Sequence, residues 1–234
     1  MTVQRIDADQ YDAILFDLDG TLIETDNRWA KQLADKLAPI NKVLPRLDTV
    51  ALSHALVTSI EMPGNYAISA VEHLGLGKHL HKLSDRVRRS KGLATQGDHE
   101  VVAGTLELIE ALAGRFHLAV VTTRARREAH AFIDQLDLVR YFPVVITRQD
   151  VIRMKPNPEP LIKAAVLLGV SAERCIMVGD TSMDMRSARR AGALAVGVLS
   201  GFGTRREMVR GGAQIILETA AELLPLLSAE AASD

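Results

Sequence analysis

Five short apolar runs constrain this chain more than any other feature. AILF at 13–16, HLAVV at 117–121, VVIT at 144–147, CIMV at 175–178 and LAVGVL at 194–199 are rich in Ile, Val and Leu, and each stops at a polar residue or a glycine. Runs this short and this continuously apolar fit strands buried on both faces of a parallel sheet. Between them lie stretches with helical spacing, marked by Leu106, Ile109, Glu110 and Leu112, by Ala129, Ile133 and Leu136, and by Leu161, Ala165 and Leu168. Strand and helix alternating at these lengths predict an α/β fold, a doubly wound and mainly parallel sheet. A short edge strand at 213–217 and a helix at 219–228 would close it.

The segment from about 23 to 97 breaks this rhythm. It reads as four helices, near 26–38, 47–60, 65–75 and 78–91, separated by Pro39, Pro45, Pro63 with Gly64, and Gly75 with Gly77. An inserted α-helical cap domain over 23–97 is therefore expected, with 1–22 and 98–234 forming the α/β core. Trp29, Leu33 and Leu37 share helical spacing and read as cap interior. His79, His81, Arg86, Arg88, Arg89 and Lys91 give the cap a basic face that reads as solvated surface or as an attractor of anionic substrates.

Composition excludes several classes. Lys and Arg number 28 against 29 Asp and Glu, so the formal charge is −1 and gives no electrostatic case for nucleic acid or an anionic membrane. A single cysteine supports neither an internal disulfide nor a Cys-based zinc cluster. The opening MTVQRIDADQ lacks the apolar stretch of a signal peptide, and no run approaches the ~18 apolar residues of a transmembrane helix. A soluble, cytoplasmic protein is expected.

In open α/β sheets, ligands sit beyond the carboxyl ends of the strands. The first run ends in Asp17-Leu18-Asp19-Gly20-Thr21, the second in Thr122-Thr123-Arg124, and the fourth in Gly179-Asp180-Thr181-Ser182-Met183-Asp184; after the third, Lys155 stands in KPNPEP before a helix. Four separate stretches thus deliver polar groups to one rim. One residue separates Asp17 from Asp19, so an extended start points both the same way. Gly20 permits a sharp turn that aims backbone N–H groups at an anion. Two carboxylates at ~4 Å repel by about 4 kcal/mol at an effective dielectric near 20. Either a cation sits between them or one keeps its proton as a general acid.

Charge then points to a metal. With Asp19 protonated, three carboxylates (Asp17, Asp180, Asp184) face one ammonium (Lys155), and a phosphate dianion would be repelled. One Mg²⁺ cancels the excess and suits hard oxygen ligands. Surroundings poor in His and free of Cys disfavour zinc. Lys155 is expected as a mobile point charge on phosphoryl oxygens, with the Thr122 hydroxyl donating to them.

Asp17-x-Asp19-Gly20-Thr21, then Thr122, then Lys155-Pro156, then Gly179-Asp180-x-x-x-Asp184 resembles, in order, the four motifs of the haloacid dehalogenase-like superfamily. The inserted helical segment resembles the cap of its phosphoglycolate phosphatase/β-phosphoglucomutase branch in position, length and helical character. The resemblance implies a Mg²⁺-dependent phosphatase acting on a small phosphorylated metabolite, with phosphoglycolate as the family-level substrate. It implies that Asp17 attacks phosphorus and becomes an aspartyl-phosphate, and that Asp19 protonates the leaving alcohol and then activates water. It places Thr122, Thr123 and Lys155 on the substrate. The metal would be held by Asp17, Asp180 and the backbone carbonyl of Asp19, with Asp184 as ligand or support. Two departures bear on substrate preference. Glu24 stands where relatives often carry Asp, and Thr123-Arg124 replaces Asn-Lys or Ser-Lys. The family's dehalogenases lack the second aspartate of the first motif, so Asp19 disfavours dehalogenation.

Duller and rival readings accompany these. Asp180 reads also as an N-cap and Asp184 as a helix-dipole partner. Thr122 reads as a strand terminator, and KPNPEP as a plain helix entrance. Gly201-Phe202-Gly203 reads as a turn, and Cys175 as inert packing at the start of a buried strand. Arg124, Arg126 and Arg127 open a helix, with Arg124 a lesser candidate for touching substrate. A phosphosugar mutase, a pyrophosphatase or nucleotidase, and a non-enzymatic phosphate-responsive binding protein are the rival functions. An exposed cap face is compatible with a homo-oligomer.

Overall fold

The computed structural model describes residues 5–24 and 100–227. Six strands form one sheet: β1 (Ala13–Phe16), β2 (His117–Val121), β3 (Val144–Ile146), β4 (Cys175–Gly179), β5 (Leu194–Val198) and β6 (Ile215–Leu217). Their order is β3-β2-β1-β4-β5-β6, and every pairing is parallel. The chain winds outward from β1 through β2 to β3, returns to the other side of β1, and winds outward again. The switch point therefore lies between β1 and β4, where such sheets open a crevice at the strand ends.

The helices of this unit are α1 (Thr105–Ala113), α2 (Arg126–Gln135), α3 (Glu159–Leu168), α4 (Ser182–Ala191), α5 (Arg205–Gly211) and α6 (Leu223–Leu227). Alternate residues of each strand face opposite sides, and two cores result. On one side Ile14, Phe16, Leu118, Val120, Ile176 and Val178 pack with Ile109, Leu112, Phe132, Ile133 and Leu223; Phe16 meets Phe142 edge to face at 6.3 Å. On the other, Ala13, Leu15, Ala119, Val121 and Met177 pack with Leu161, Ala164, Ala165, Met185 and Ala188. Alanines dominate the second face, which lets α3 and α4 lie close to the strands whose ends carry the polar groups.

The apolar runs become strands almost residue for residue. β3 ends one residue early because Asp150 captures Thr147: both the Thr147 amide and its hydroxyl donate to Asp150 Oδ2. β4 gains Gly179, and β5 ends at Val198. In α1 the buried stripe is Leu108, Ile109 and Leu112, while Leu106 is exposed. The closing segment is a 3₁₀ turn at Ala220–Glu222 leading into α6. No helix among the described residues is long and apolar enough to cross a membrane.

The chain divides into two units, Met1–Glu24 with His99–Asp234, and Thr25–Asp98. The four expected cap helices, Trp29 and the basic residues 79–91 lie outside the described residues.

The two sides of α3 generate a test. Leu161 is fully buried on its inner side, whereas Val166 is 68% exposed on the outer one. Leu161→Ala is expected to cost about 2–5 kcal/mol, and Val166→Ser to stay within about 0.5 kcal/mol. Urea unfolding of the two variants checks both.

Candidate active site

Asp17 follows directly on β1, and its amide donates to Val178 O at 2.9 Å, carrying the β1–β4 pairing one residue further. The chain then turns sharply. Leu22 N and Ile23 N both donate to Leu18 O at 3.0 Å, and Gly20 N donates to Ile23 O at 2.8 Å. Gly20 has φ +72°, and a Cβ there would meet Asp180 Oδ2 at 2.3 Å, so turn and neighbour both demand glycine. This narrows one expectation. The amides of Gly20, Leu22 and Ile23 are engaged within the loop, so they are not offered to an anion.

From the loop before α3, Lys155 reaches under the rim. It is 4% exposed, and its Nζ donates to Val121 O at 2.9 Å while lying 3.0 Å from Asp17 Oδ1 and 2.6 Å from Asp184 Oδ1. The peptide bond joining it to Pro156 is cis. The expected mobile point charge is therefore a fixed one, because three oxygens from three separate stretches hold it. Burial would pull the ammonium's pKa down, but the carboxylates of Asp17 and Asp184 outweigh burial and keep it protonated.

Asp184 is completely buried, and both its oxygens are engaged. Oδ1 faces Lys155, and Oδ2 accepts from the amide and hydroxyl of Thr181. Thr181 accepts in return from Asp184 N, a capping box that starts α4. The N-cap is thus Thr181 and not Asp180, which stays outside the helix with its carboxylate aimed elsewhere. Phe202 N donates to Asp180 Oδ2 at 2.8 Å, and Gly203 N to Asp180 O at 3.0 Å.

Carboxylate oxygens of Asp17, Asp180 and Asp184 lie within 4.8 Å of one another, and all three residues are buried. Burial lifts the Asp17 carboxyl to about 7 against the pull of Lys155, with Asp184 and Asp19 adding to the rise. Burial likewise raises Asp180 well above the ordinary carboxylate range, helped by the charges of Asp17 and Asp184. Three crowded hard oxygen donors, with no His or Cys among them, fit a hard divalent cation such as Mg²⁺ and not a soft metal.

Thr122 closes β2 with its amide on Ile146 O at 2.9 Å, and its hydroxyl accepts from Arg124 N at 3.1 Å. Thr123 beside it is half-buried. The structure thus brings Asp17, Lys155, Asp180 and Asp184 into direct association. Asp19 stands apart from them with its carboxylate in the fork of Arg124: Nε to Oδ2 at 2.7 Å and Nη2 to Oδ1 at 2.5 Å. Arg124 precedes α2, which begins at Arg126 with Ala125 as its N-cap.

Two contributions go beyond the sequence reading. One is Arg124 as the partner of Asp19. The other is Gly201-Phe202-Gly203, which folds against Asp180: a Cβ at 201 would fall 1.9 Å from Asp180 Oδ2, and one at 203 would fall 2.2 Å from Asp180 O. A glycine pair flanking one residue just past the fifth apolar run, on the same rim, was the available signal. Cys175 lies at the far end of β4, where burial pushes its thiol up to about 12, as inert packing requires.

Comparison with known proteins agrees with this geometry. The family model described as haloacid dehalogenase-like hydrolase matches residues 14–198. A pyrophosphatase, PpaX, of Halalkalibacterium halodurans is 33% identical over 196 residues, covering 78% of this chain and 81% of its own. A phosphoglycolate phosphatase of Neisseria meningitidis is 31% identical over 204 residues, covering 82% and 81%. Among solved structures, a hydrolase of the same family from Deinococcus radiodurans, with bound phosphate and sodium, superposes with a TM-score of 0.66 at 24% identity, over 94% of this chain and 99% of its own. Sheet order, switch-point carboxylates and family match coincide in a single class, hydrolases whose acidic site lies at the switch point of a doubly wound parallel sheet. The chain belongs to the haloacid dehalogenase-like hydrolase family.

The glycine cradle around Asp180 is open to test. Gly201→Ala is expected to destabilise by about 1–3 kcal/mol, because the added carbon overlaps a buried carboxylate. Gly114→Ala, whose Cβ would meet nothing within 4 Å, is expected to be neutral or stabilising by up to about 1 kcal/mol. Thermal unfolding of the pair measures the contrast.

Proposed function

We propose that this hydrolase is a Mg²⁺-dependent phosphatase that hydrolyses a small organic phosphomonoester through a phosphorylated Asp17. The observation that carries the reading is the buried Lys155 ammonium shared by Asp17 and Asp184, with Asp180 completing an acidic triad at the switch point of the sheet. Three carboxylates against one ammonium leave a net negative site, which would repel a phosphate dianion. Asp17 and Asp180, with the backbone carbonyl of Asp19, would hold the metal. Asp184, with both oxygens engaged, supports from behind. Bound there, Mg²⁺ supplies the positive charge that lets phosphate and carboxylates share one pocket.

The roles of the chain's own residues follow. An Asp17 oxygen attacks phosphorus in line, and the P–O bond to the leaving alcohol breaks as Asp19 delivers a proton to that oxygen. Water then attacks the aspartyl-phosphate while Asp19 takes its proton, which returns free Asp17 and inorganic phosphate. Lys155 holds Asp17 in place and, with Thr122 and Thr123, contacts phosphoryl oxygens. Similarity to a phosphoglycolate phosphatase and to a pyrophosphatase supports phosphoryl hydrolysis on a small phosphorylated metabolite. We assign 1–22 and 98–234 to the catalytic core and 23–97 to a helical cap, and the division into units at 24/25 and 98/99 supports that assignment.

Purified protein with Mg²⁺ is expected to release inorganic phosphate from members of a phosphomonoester panel and to stop on addition of a chelator. Asp17→Asn is expected to lower turnover by at least ~10³-fold with an unchanged circular dichroism spectrum. Turnover that persists in this variant removes Asp17 as nucleophile, and activity that ignores the chelator removes the metal. Isomer formation without free phosphate would redirect the reading to a phosphosugar mutase.

A further inference from the structure

Asp19 is the group to which the phosphatase reading gives proton transfer, yet both of its oxygens lie in the fork of one guanidinium. Two-point pairing of this kind is the strongest form of carboxylate–arginine contact. Neither partner is free to drift. Arg124 is tied by its amide to Thr122 Oγ1 and by its carbonyl to Arg148 N at 3.2 Å, and Asp19 sits in the self-bonded Gly20 turn. The pair is nevertheless within reach of ligand, since the Arg124 side chain is 15% exposed and that of Asp19 30%. It stands beside the acidic triad and not inside it.

We propose that Arg124 is a latch on Asp19 that a second anionic group on the substrate releases, which makes the site selective for short phosphoesters or phosphoanhydrides carrying a carboxylate or phosphate next to the bridging oxygen. This rests on Asp19 being the acid–base residue. A substrate anion entering the fork exchanges one carboxylate–guanidinium pairing for another, so the arginine is never left without a partner. Asp19, released from the fork, takes up a proton from water and passes it to the ester oxygen as the P–O bond breaks. A neutral leaving group offers no such exchange, and freeing Asp19 for it takes from a mostly buried cation its two-point partner.

The distances set the substrate's size. An ester oxygen in hydrogen-bond contact with Asp19, at about 2.7 Å, lies only about 4–5 Å from the guanidinium. The second anion therefore belongs two or three bonds beyond that oxygen. Arg124 is then a specificity-determining residue, and its part in catalysis is exerted through the position of Asp19.

The test measures kcat and KM of the Mg²⁺-loaded protein for 2-phosphoglycolate, pyrophosphate and ethyl phosphate, the last with a neutral leaving group of similar size. Wild type is expected to favour at least one anionic substrate over ethyl phosphate tenfold or more in kcat/KM, and which one identifies the second anion as carboxylate or phosphate. Arg124→Gln is expected to lower kcat/KM for that substrate at least tenfold, chiefly through KM, and to raise it for ethyl phosphate several-fold because Asp19 is unlatched. Arg124→Lys, charged but without the fork, restores part of the preference. Parallel losses on all substrates, or a wild type that prefers ethyl phosphate, overturn the latch. If Arg124→Gln fails to fold, inhibition of the wild type decides. Where 2-phosphoglycolate is the favoured substrate, glycolate inhibits ethyl phosphate hydrolysis and ethylene glycol does not; where pyrophosphate is, inorganic phosphate inhibits more strongly in wild type than in Arg124→Lys. Inhibition that fails to follow this pattern overturns the latch. A wild type inactive on the whole phosphomonoester panel sinks the phosphatase reading and the latch with it, whereas one active on the panel but on none of these three substrates, or active with parallel losses, sinks the latch alone.

Discussion

A single ammonium makes the rest of this site tolerable to the fold. Lys155 Nζ, enclosed by Asp17, Asp184 and the Val121 carbonyl, joins the ends of β1 and β2 to the start of α4. Carboxylates this close in a buried setting repel strongly, and the raised pKa of Asp17 and Asp180 records how far burial and crowding disfavour their charge. A buried charge is stable only when its remaining bonding capacity is also met. Asp184 has one oxygen 2.6 Å from Lys155 Nζ and the other on the capping box of α4. The helix start and the ion pair are therefore one device, and neither could be rearranged without the other.

Geometry of the sheet explains why these groups converge. Parallel strands put all their carboxyl ends on one rim, and the reversal of winding between β1 and β4 leaves a crevice there. Alanines on the α3/α4 face bring those helices close to the strands. Glycines at 20, 201 and 203 do the same for loops around Asp180, since a side chain at any of them would overlap its carboxylate or carbonyl. The acidic triad is held by contacts too tight to admit a Cβ, which is how a repulsive arrangement is kept from relaxing apart.

Legibility in the sequence followed how local each cause is. β1 and β2 are read to the residue because strands buried on both faces have continuous apolar runs with abrupt ends. β3 is one residue short of its run because the side chain of Asp150, three residues on, competes for Thr147, and hydrophobicity carries no record of such a capture. The motif aspartates and Lys155 stand out because each follows a strand or precedes a helix. Arg124 does not stand out, because its partner is 105 residues away and nothing next to it in sequence marks a pairing with Asp19. The glycines at 201 and 203 are visible as a turn, but their closeness to Asp180 exists only after folding. Glycine at 20 permits a turn, but only the folded chain shows that the amides of Gly20, Leu22 and Ile23 are used inside it.

Two cations consequently serve the same rim under different constraints. Lys155 is buried, and the oxygens that fix it come from the fold itself, so its charge is permanent. Arg124 is partly open, and the carboxylate in its fork is a group that the proposed chemistry needs elsewhere. A point charge with three rotatable donors suits the first position, where three oxygens surround it from different directions. A planar fork suits the second, where one carboxylate can be replaced by another of the same shape. The two residue types are not interchangeable: a planar guanidinium fork does not spread its donors toward three directions as an ammonium does, and an ammonium cannot grip a carboxylate by both oxygens in a way that an incoming anion must match. The difference between lysine and arginine thus separates a cation fixed by the fold at the site of phosphoryl transfer from one whose carboxylate partner a second substrate anion can replace.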